Sequence, residues 1–210
     1  MEKEKREIIE TGKWIMEKQL TWGTSGNISA REGDRIYVTA SGTVLGDLHE
    51  EDITVVDLEG QVLEGRKPSK ETGMHLEVYR KCPEVAAVVH ASPFWTTFLA
   101  CTKLELKTKL FIESMYYDEQ VLRIPYFHAG SKELAEAVSN VADQTHVILM
   151  EHHGVLCYDR NLKECRAALE VTDNVCHMNL MAQSAGIVLE TLPEETVRDF
   201  LEGGYYKKRR

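Results

Sequence analysis

Two short, uninterrupted apolar runs place the strongest limits on how this 210-residue chain can fold. Residues 85–89 (VAAVV) and 147–150 (VILM) have the length of strands, and neither shows the polar alternation of a half-exposed strand. Both are therefore candidates for strands that are buried inside a sheet. The other strand-like and helical segments follow one another without strict βαβ alternation. This order predicts an α/β fold in which a mixed sheet is sandwiched by helices.

The remaining elements follow from hydrophobic periodicity and from turn residues. No linker, repeat or low-complexity segment divides the sequence, so we expect a single domain over residues 1–210. The predicted strands cover residues 35–39, 53–58, 61–63, 85–89, 121–126, 147–150 and 155–158. The predicted helices cover residues 2–20, 68–80, 93–101, 131–142 and 161–186; the last is opened by Asn161 and Glu164 in the spacing of a capping box.

Composition argues against several classes of protein. The formal net charge of −9 argues against general binding to nucleic acids or anionic membranes, although it allows a local basic pocket. No apolar run approaches the roughly 18 residues of a membrane span, and the amino terminus lacks the apolar stretch of a secretory signal. The cysteines are odd in number and form no C-x-x-C pair, which favours reduced thiols in a cytoplasmic protein. They are Cys82, Cys101, Cys157, Cys165 and Cys176.

Two histidines are candidates for metal ligands. His90 directly follows the first apolar run, and His153 stands between the second run and Gly154. Side chains at strand ends leave the core and enter a crevice, and neutral imidazole is a good ligand for zinc and similar ions. The alternative is that each is an ordinary hydrogen-bonded histidine in a chain that has eight.

Glu71 is the candidate acid–base residue. It lies two residues after Ser69, in the first turn of the predicted helix, where the helix dipole favours a carboxylate. Beside a metal, such a carboxylate can remove or return a substrate proton. Capping and solvation are the simpler alternative.

Three short polar segments are candidates for an anion pocket. Glycines and hydroxyl side chains around tight turns present N–H and O–H donors to a phosphate, and Lys70 would add a positive charge. Each segment by itself is also explained as an ordinary turn. The segments are residues 24–29, 39–43 and 68–70.

Taken in order along the chain, these segments resemble the class II aldolase/adducin family. The resemblance runs from about residue 5 to residue 205. It implies a three-layer α/β/α fold with a mixed, mostly antiparallel central sheet, in a homotetramer with active sites at subunit interfaces. It is carried by the motifs GTSGNIS (23–29), TASG (39–42), PSKE (68–71), VVH (88–90), PY (125–126), GSKEL (130–134) and HHGV (152–155).

The resemblance also implies the chemistry of the site. It implies a divalent metal bound by His90 and His153, with zinc as the ion of the family pattern and manganese or cobalt as alternatives. Glu71 would be the acid–base residue and would also approach the metal. The phosphate pocket would be lined by Gly26, Asn27, Ser41, Gly42, Ser69 and Lys70.

The sequence departs from the family aldolases at the metal site and in the anion pocket. Ser92 stands where the family has the second histidine of a His-x-His motif. Glu71, water or another histidine such as His128 would then have to complete the metal shell. Lys70 replaces a serine and could strengthen the hold on a phosphate or a carboxylate.

A third departure concerns the proton donor to the leaving aldehyde. Phe111 stands where the family resemblance places a tyrosine, and phenylalanine has no proton to donate. Other tyrosines could compensate. They are Tyr116, Tyr117, Tyr205 and Tyr206.

The expected function is that of a metal-dependent aldehyde-lyase of the fuculose-phosphate-aldolase type. Such an enzyme cleaves a small phosphorylated ketose into dihydroxyacetone phosphate and an aldehyde. One alternative is an epimerase, dehydratase or decarboxylase of the same fold, acting on a sugar phosphate or a sugar acid. Another is a non-catalytic binding or assembly protein of the adducin type. The expected partners are a small phosphorylated sugar and further copies of the chain, without nucleic acid or membrane.

Overall fold

The computed structural model describes residues 1–206, whose strands form one eight-stranded sheet. The strands are β1 (Asn27–Glu32), β2 (Arg35–Thr39), β3 (Ile53–Val56), β4 (Val62–Glu64), β5 (Ala87–Ala91), β6 (Val121–Ile124), β7 (Val147–Met150) and β8 (Gly154–Asp159). They lie in the order β4-β3-β2-β1-β5-β8-β7-β6. Neighbouring strands are antiparallel except β6 and β7, which are parallel. The prediction of a mixed, mostly antiparallel sheet is confirmed.

Helices cover both faces of this sheet. They are α1 (Lys3–Glu17), α2 (Thr72–Lys81), α3 (Phe94–Ala100), α4 (Ile112–Tyr117), α5 (Lys132–Ser139), α6 (Leu162–Ala185) and α7 (Glu194–Glu202). Ile8 of α1 and Leu169 of α6 pack with Val89 on one face. Met74 of α2 packs on the other face, in one cluster with Val88. Successive side chains of a strand point to opposite faces. The apolar run that includes β5 is therefore buried from both sides, as expected for the middle layer of an α/β/α fold.

One central strand was not predicted. Residues 24–29 were interpreted as a polar segment around a tight turn, but only the residues before Asn27 form the turn. The chain then continues as β1, between β2 and β5. Ile28 and Ala30 join the core on the α1 side, while Asn27 and Ser29 face α2 and make buried hydrogen bonds there. The polar half of the strand concealed its periodicity in the sequence.

The start of α2 also differs from the prediction. The helix begins at Thr72 rather than at Pro68, because Pro68 forms an isolated β-bridge with Ala40. The Ser69 N–H donates to the Thr39 carbonyl at 3.0 Å, so this stretch extends the sheet before the helix starts. Glu71 occupies the N-cap position and its side chain makes no capping hydrogen bond. The carboxylate is therefore available to the space beside the helix.

The other predicted boundaries hold to within a few residues. His90 lies inside β5 rather than after it, because the strand runs from Ala87 to Ala91. Helix α6 starts as predicted, with the Asn161 side chain accepting a hydrogen bond from the Glu164 N–H. No helix within residues 1–206 is both long and apolar enough to cross a lipid bilayer.

Candidate metal centre

Three side chains from separate parts of the chain converge on one point. His90 comes from β5, His153 from the turn between β7 and β8, and Glu71 from the N-cap of α2. His153 Nε2 lies 3.1 Å from Glu71 Oε1, and His90 Nε2 lies 3.5 Å from Glu71 Oε2. The two imidazole rings are 4.8 Å apart in an edge-to-face arrangement. The three ligand atoms lie within 4.8 Å of one another, which is the spacing of groups around a single ion.

The sheet fixes the orientation of His90. Its Nδ1–H donates to the carbonyl of Val155 on the neighbouring strand, over 3.0 Å. That hydrogen bond leaves the Nε2 lone pair directed towards Glu71, which is the arrangement that a metal-ligating histidine needs. Burial lowers the pKa of His90, which favours the neutral imidazole that binds metals.

Glu71 shows that the cluster fits a cation. Its side chain is 6% exposed, and Oε1 accepts no hydrogen bond although His153 lies close by. Burial raises the pKa of the Glu71 carboxyl, but the two imidazoles and the Asn27 amide outweigh burial and lower it to about 2. An ionised, buried oxygen without a donor is costly unless a cation occupies the space beside it. A divalent metal ion would satisfy it.

The donor set is two imidazoles and one carboxylate. Ser92 does not supply a third strong ligand; its hydroxyl donates to the backbone carbonyl of His153 at 3.3 Å and supports the β7–β8 turn. His128, considered from the sequence as a replacement ligand, is exposed and hydrogen-bonded to Tyr126 at 3.0 Å, outside the cluster. Of the options weighed from the sequence, Glu71 is the residue that completes the group.

The cluster lies in the wall of an open cleft of about 490 Å³. The bridge between Ala40 and Pro68 explains the cleft, because it sets the 39–43 turn beside the 68–70 segment. All six residues expected in the phosphate pocket line this cleft together with the cluster. They are Gly26, Asn27, Ser41, Gly42, Ser69 and Lys70.

Both polar atoms of the Asn27 side chain already have hydrogen-bond partners, so the side chain is not available to a phosphate. Its Nδ2–H donates to Glu71 Oε2 at 2.8 Å, and its Oδ1 lies 2.7 Å from His75 Nε2. The side chain is buried between these partners, so it supports the carboxylate. His75 is a site residue that no sequence pattern singles out. The available signal was its position four residues after Glu71, which puts both on one side of α2.

The tyrosines proposed to compensate for Phe111 do not line the cleft of the same chain. Tyr116 and Tyr117 lie in the core beneath α1 and α6, and the Tyr117 hydroxyl donates to Glu164 at 2.8 Å. Tyr206 packs its ring 5.2 Å from that of Tyr116. Phe111 itself is the N-cap residue of α4, also away from the cleft. Tyr116, Tyr117 and Tyr206 therefore lie away from the cleft of their own chain, and their role as proton donors stays a prediction.

Fold and site together indicate a metal-dependent enzyme whose candidate metal centre lies in the wall of an open cleft. The model for the class II aldolase and adducin N-terminal domain matches residues 6–180, so the chain belongs to this family.

Similar proteins span the same length but differ in their named activities. An L-fuculose phosphate aldolase of Methanocaldococcus jannaschii is 32% identical over 183 residues, which cover 85% of this chain and 96% of that protein. A 3-oxo-tetronate 4-phosphate decarboxylase of Haemophilus influenzae is 32% identical over 206 residues, covering 96% and 97%. Among solved structures, an L-fuculose 1-phosphate aldolase superposes with a TM-score of 0.90 at 29% identity, covering 98% of both chains. Aldolases and decarboxylases therefore occur in this family at similar identity to the chain.

Proposed function

We propose that this protein is a metal-dependent aldehyde-lyase that cleaves a small phosphorylated ketose into dihydroxyacetone phosphate and an aldehyde. The observation that carries the proposal is the position of the Glu71–His90–His153 group in the wall of a cleft rich in anion-binding groups. The likeness to aldolases of phosphorylated sugars supports the same reaction. Zinc is the proposed ion, with manganese and cobalt as alternatives, since imidazole and carboxylate ligands suit all three.

Each group of the chain has a distinct task in this proposal. When bound, the metal supplies positive charge that stabilises substrate oxygens as they become negative. The hydroxyls of Ser41 and Ser69 and the Lys70 ammonium bind the phosphate end, which fixes the reacting carbons near the cluster. In cleavage, Glu71 receives the proton that the substrate hydroxyl releases and delivers it to the carbon left by the broken bond, and in synthesis the proton moves the other way. Asn27 holds the other carboxylate oxygen in place.

Product analysis tests the reaction. Protein loaded with zinc, manganese or cobalt is incubated with a panel of small ketose phosphates, and dihydroxyacetone phosphate is measured. Glu71→Gln should lower kcat at least about 100-fold, the usual scale of a lost acid–base group. Glu59→Gln, which changes an exposed carboxylate in the β3–β4 turn, serves as the matched control. Undiminished turnover in Glu71→Gln would refute its role as proton carrier.

Metal content separates an enzyme from a binding or assembly protein of the adducin type. Purified protein without a histidine tag should contain, or recover on addition of zinc, about one metal per chain, as expected for a single two-histidine, one-carboxylate centre. Sub-stoichiometric metal that no divalent ion restores would refute the metalloenzyme proposal.

A decarboxylase is the second candidate function. Two observations favour it: Lys70 at the cleft, where an ammonium could hold a carboxylate, and the decarboxylase relative that matches nearly the whole chain. Release of carbon dioxide from a 3-oxo acid phosphate, without dihydroxyacetone phosphate from any ketose phosphate, would favour this reaction over the aldolase. The Lys70→Ser variant should then lose affinity for the acid substrate.

We also propose that the chain is a single domain that acts as a homotetramer in the cytoplasm. Within the described residues no tyrosine lines the cleft, so a tyrosine that takes the proton of the departing aldehyde oxygen, and returns it in the direction of synthesis, would come from a neighbouring copy. Exposed aromatic and methionine side chains on α3 and α6 provide a surface for such a neighbour. All five cysteines are free, which suits a reducing compartment.

A further inference from the structure

A continuous line of buried hydrogen bonds runs from Glu71 into the core between β1 and α2. Glu71 Oε2 accepts from Asn27 Nδ2 at 2.8 Å, and Asn27 Oδ1 lies 2.7 Å from His75 Nε2. On the other side of the imidazole ring, Nδ1 lies 2.7 Å from the Ser29 hydroxyl, which lies 2.7 Å from the Tyr79 hydroxyl. His75, Ser29 and Tyr79 are at most 1% exposed. The line is therefore sealed from solvent.

The chemistry of the groups fixes the direction of each bond. An ionised carboxylate can only accept, so the Asn27 amide must present Nδ2–H to Glu71 and Oδ1 to His75. Oδ1 can only accept, so His75 carries its proton on Nε2. Burial lowers the pKa of His75 to about 3, which keeps the ring neutral and leaves Nδ1 to accept from the Ser29 hydroxyl. Ser29 then accepts from the Tyr79 O–H.

We propose that His75 is a positioning residue that holds Asn27 in the one amide orientation able to donate to Glu71, and thereby aligns the carboxylate with His90 and His153. This inference rests on the proposed role of Glu71 as a metal ligand. Without the Nε2–H donor, the Asn27 amide could rotate by half a turn and place its oxygen against the carboxylate. Repulsion between the two oxygens would then displace Glu71 from the cluster.

The line orients groups and does not conduct protons. An amide neither gains nor releases a proton near neutral pH, so Asn27 interrupts any transfer between Glu71 and His75. Burial also raises the pKa of the Tyr79 hydroxyl far above its ordinary value, which keeps that end of the line protonated. The function of the line is therefore to limit the freedom of the carboxylate, as the outer partners of metal ligands do in other proteins.

The tautomer of His75 tests the first step of the inference in protein without metal. With ¹⁵N-labelled histidine, NMR should show His75 as a neutral ring protonated at Nε2 from pH 5 to pH 9, and the signal should be absent in His75→Gln, which assigns it. A ring protonated at Nδ1, or a charged ring at neutral pH, would overturn the proposal. This measurement requires neither metal nor substrate.

Two variants test the second step through zinc affinity, measured by competition with a chromophoric chelator. His75→Phe keeps the ring volume but removes both nitrogens, and should weaken zinc binding about tenfold or more, the scale of lost outer-shell partners. His75→Gln can place an amide N–H near the position of Nε2 and should recover most of that loss. Thr172→Val, which removes a buried hydroxyl hydrogen-bonded to Asp118 on the other face of the sheet, is the control for general destabilisation.

The outcomes separate this inference from the proposed function. If His75→Phe binds zinc as tightly as the unaltered protein, the positioning role is wrong even though the metal site is real. Equal losses in His75→Phe, His75→Gln and Thr172→Val would also overturn it, because stability alone would then explain the effect. If the unaltered protein binds no divalent ion, the proposed function fails, while the tautomer measurement still decides the orientation of Asn27.

Discussion

Ser92 sets the number of imidazoles around the candidate metal centre. Its hydroxyl is too weak a neutral ligand to replace an imidazole, so His90, His153 and Glu71 form the candidate ligand group among the described residues. The side chain lies against the His153 backbone, with its oxygen 3.3 Å from the carbonyl. A longer side chain at this position would start beside the cluster, which makes the position sensitive to substitution.

Replacing Ser92 with histidine should strengthen zinc binding. A third imidazole supplies a strong neutral donor, and we expect at least about a tenfold gain in affinity, as even outer-shell changes act on that scale. Titration against a chromophoric chelator measures it. Ser92→Ala, which removes the hydroxyl without adding a ligand, should show no such gain. Equal affinities in Ser92→His and Ser92→Ala would contradict the assignment of this position to the metal shell.

Asp118 is a buried carboxyl outside the site. Its Oδ1 lies 2.7 Å from the Thr172 hydroxyl, which also lies 2.8 Å from the Ala168 carbonyl, yet that hydroxyl has one hydrogen. A protonated Asp118 resolves the conflict by donating to Thr172, which then donates to Ala168. Burial raises the pKa of Asp118 to about 7, in agreement with a proton held in the folded state.

The protonation of Asp118 predicts a pH dependence of stability. The pKa is about 3.9 in the unfolded chain and higher in the folded protein, so its stabilising contribution is complete below pH 4 and is lost as pH rises to 7. Asp118→Asn keeps a donor to Thr172 without a charge. The free energy of unfolding of this variant, relative to the unaltered protein, should increase by about 2 kcal/mol between pH 5 and pH 8. Urea unfolding measures it, with the exposed Asp34→Asn as control; parallel pH profiles would contradict the prediction.

The residues of the candidate centre differ in how far the sequence revealed them. His90 and His153 follow apolar runs and Glu71 precedes a helix, so each interrupts a pattern and stands out. His75 lies on the buried side of α2, where it looks like an ordinary core residue. Its partnership with Asn27 depends on a strand and a helix that meet only in the folded chain.

At the scale of elements, the loop before α5 packs against the 68–70 segment that lines the cleft. Gly130, in the loop before α5, has φ of +80°, and a Cβ atom there would lie 2.7 Å from the Lys70 carbonyl oxygen. The segment that carries Ser69 and Lys70 is thus held between this loop and the end of β2. Any side chain at position 130 has to move that segment.

Gly130→Ala should therefore weaken substrate binding. We expect a severalfold higher KM for the phosphorylated substrate with unchanged zinc affinity, because the displaced segment carries the proposed phosphate-binding groups and none of the imidazoles. Gly33→Ala is the matched control, since Gly33 also has a positive φ (+59°) but open space around it. In both variants the positive φ destabilises the folded protein by about 1 kcal/mol. Only Gly130→Ala also places a Cβ atom against the Lys70 carbonyl oxygen. A KM that rises equally in both would contradict the role of this contact.

The predicted strands were accurate where apolar or β-branched residues follow one another. Strands β2 and β7 were predicted to the residue and β5 to within two. Strand β1 was missed because two of its buried side chains, Asn27 and Ser29, are polar groups whose partners lie on α2 and at its N-cap. The start of α2 was misplaced because a proline is compatible with both a helix start and a β-bridge. In the folded chain, Pro68 forms a bridge with Ala40 and the helix starts later.

At the scale of the whole molecule, charge is distributed unevenly. The chain carries a formal net charge of −9, yet Glu71 is the one carboxylate among the described residues that line the cleft. Lys70 adds a positive charge at the same cleft. The lining of the cleft is therefore less negatively charged than the chain as a whole, which favours the approach of an anionic substrate.

The outer surface of α3 and α6 predicts how copies of the chain assemble. Phe94 and Phe98 of α3 are 56% and 48% exposed, and Met178 and Met181 of α6 are 41% and 56% exposed. The two helices pack on each other, with Trp95 stacked on a histidine of α6 at 3.8 Å, so these side chains share one side of the molecule. Exposed apolar groups gathered in this way are typical of subunit interfaces.

Phe98→Glu should break the proposed tetramer into smaller species. A charge placed in an apolar interface has to be desolvated on assembly, which weakens association by several kcal/mol, of the order found for an unpaired buried charge. Light scattering coupled to size exclusion measures the mass. Leu63→Glu, on the exposed edge strand β4, adds the same charge at a side chain of similar exposure (55%) and should leave the mass unchanged. If Phe98→Glu keeps the mass of the unaltered protein, the face of α3 and α6 is not the interface.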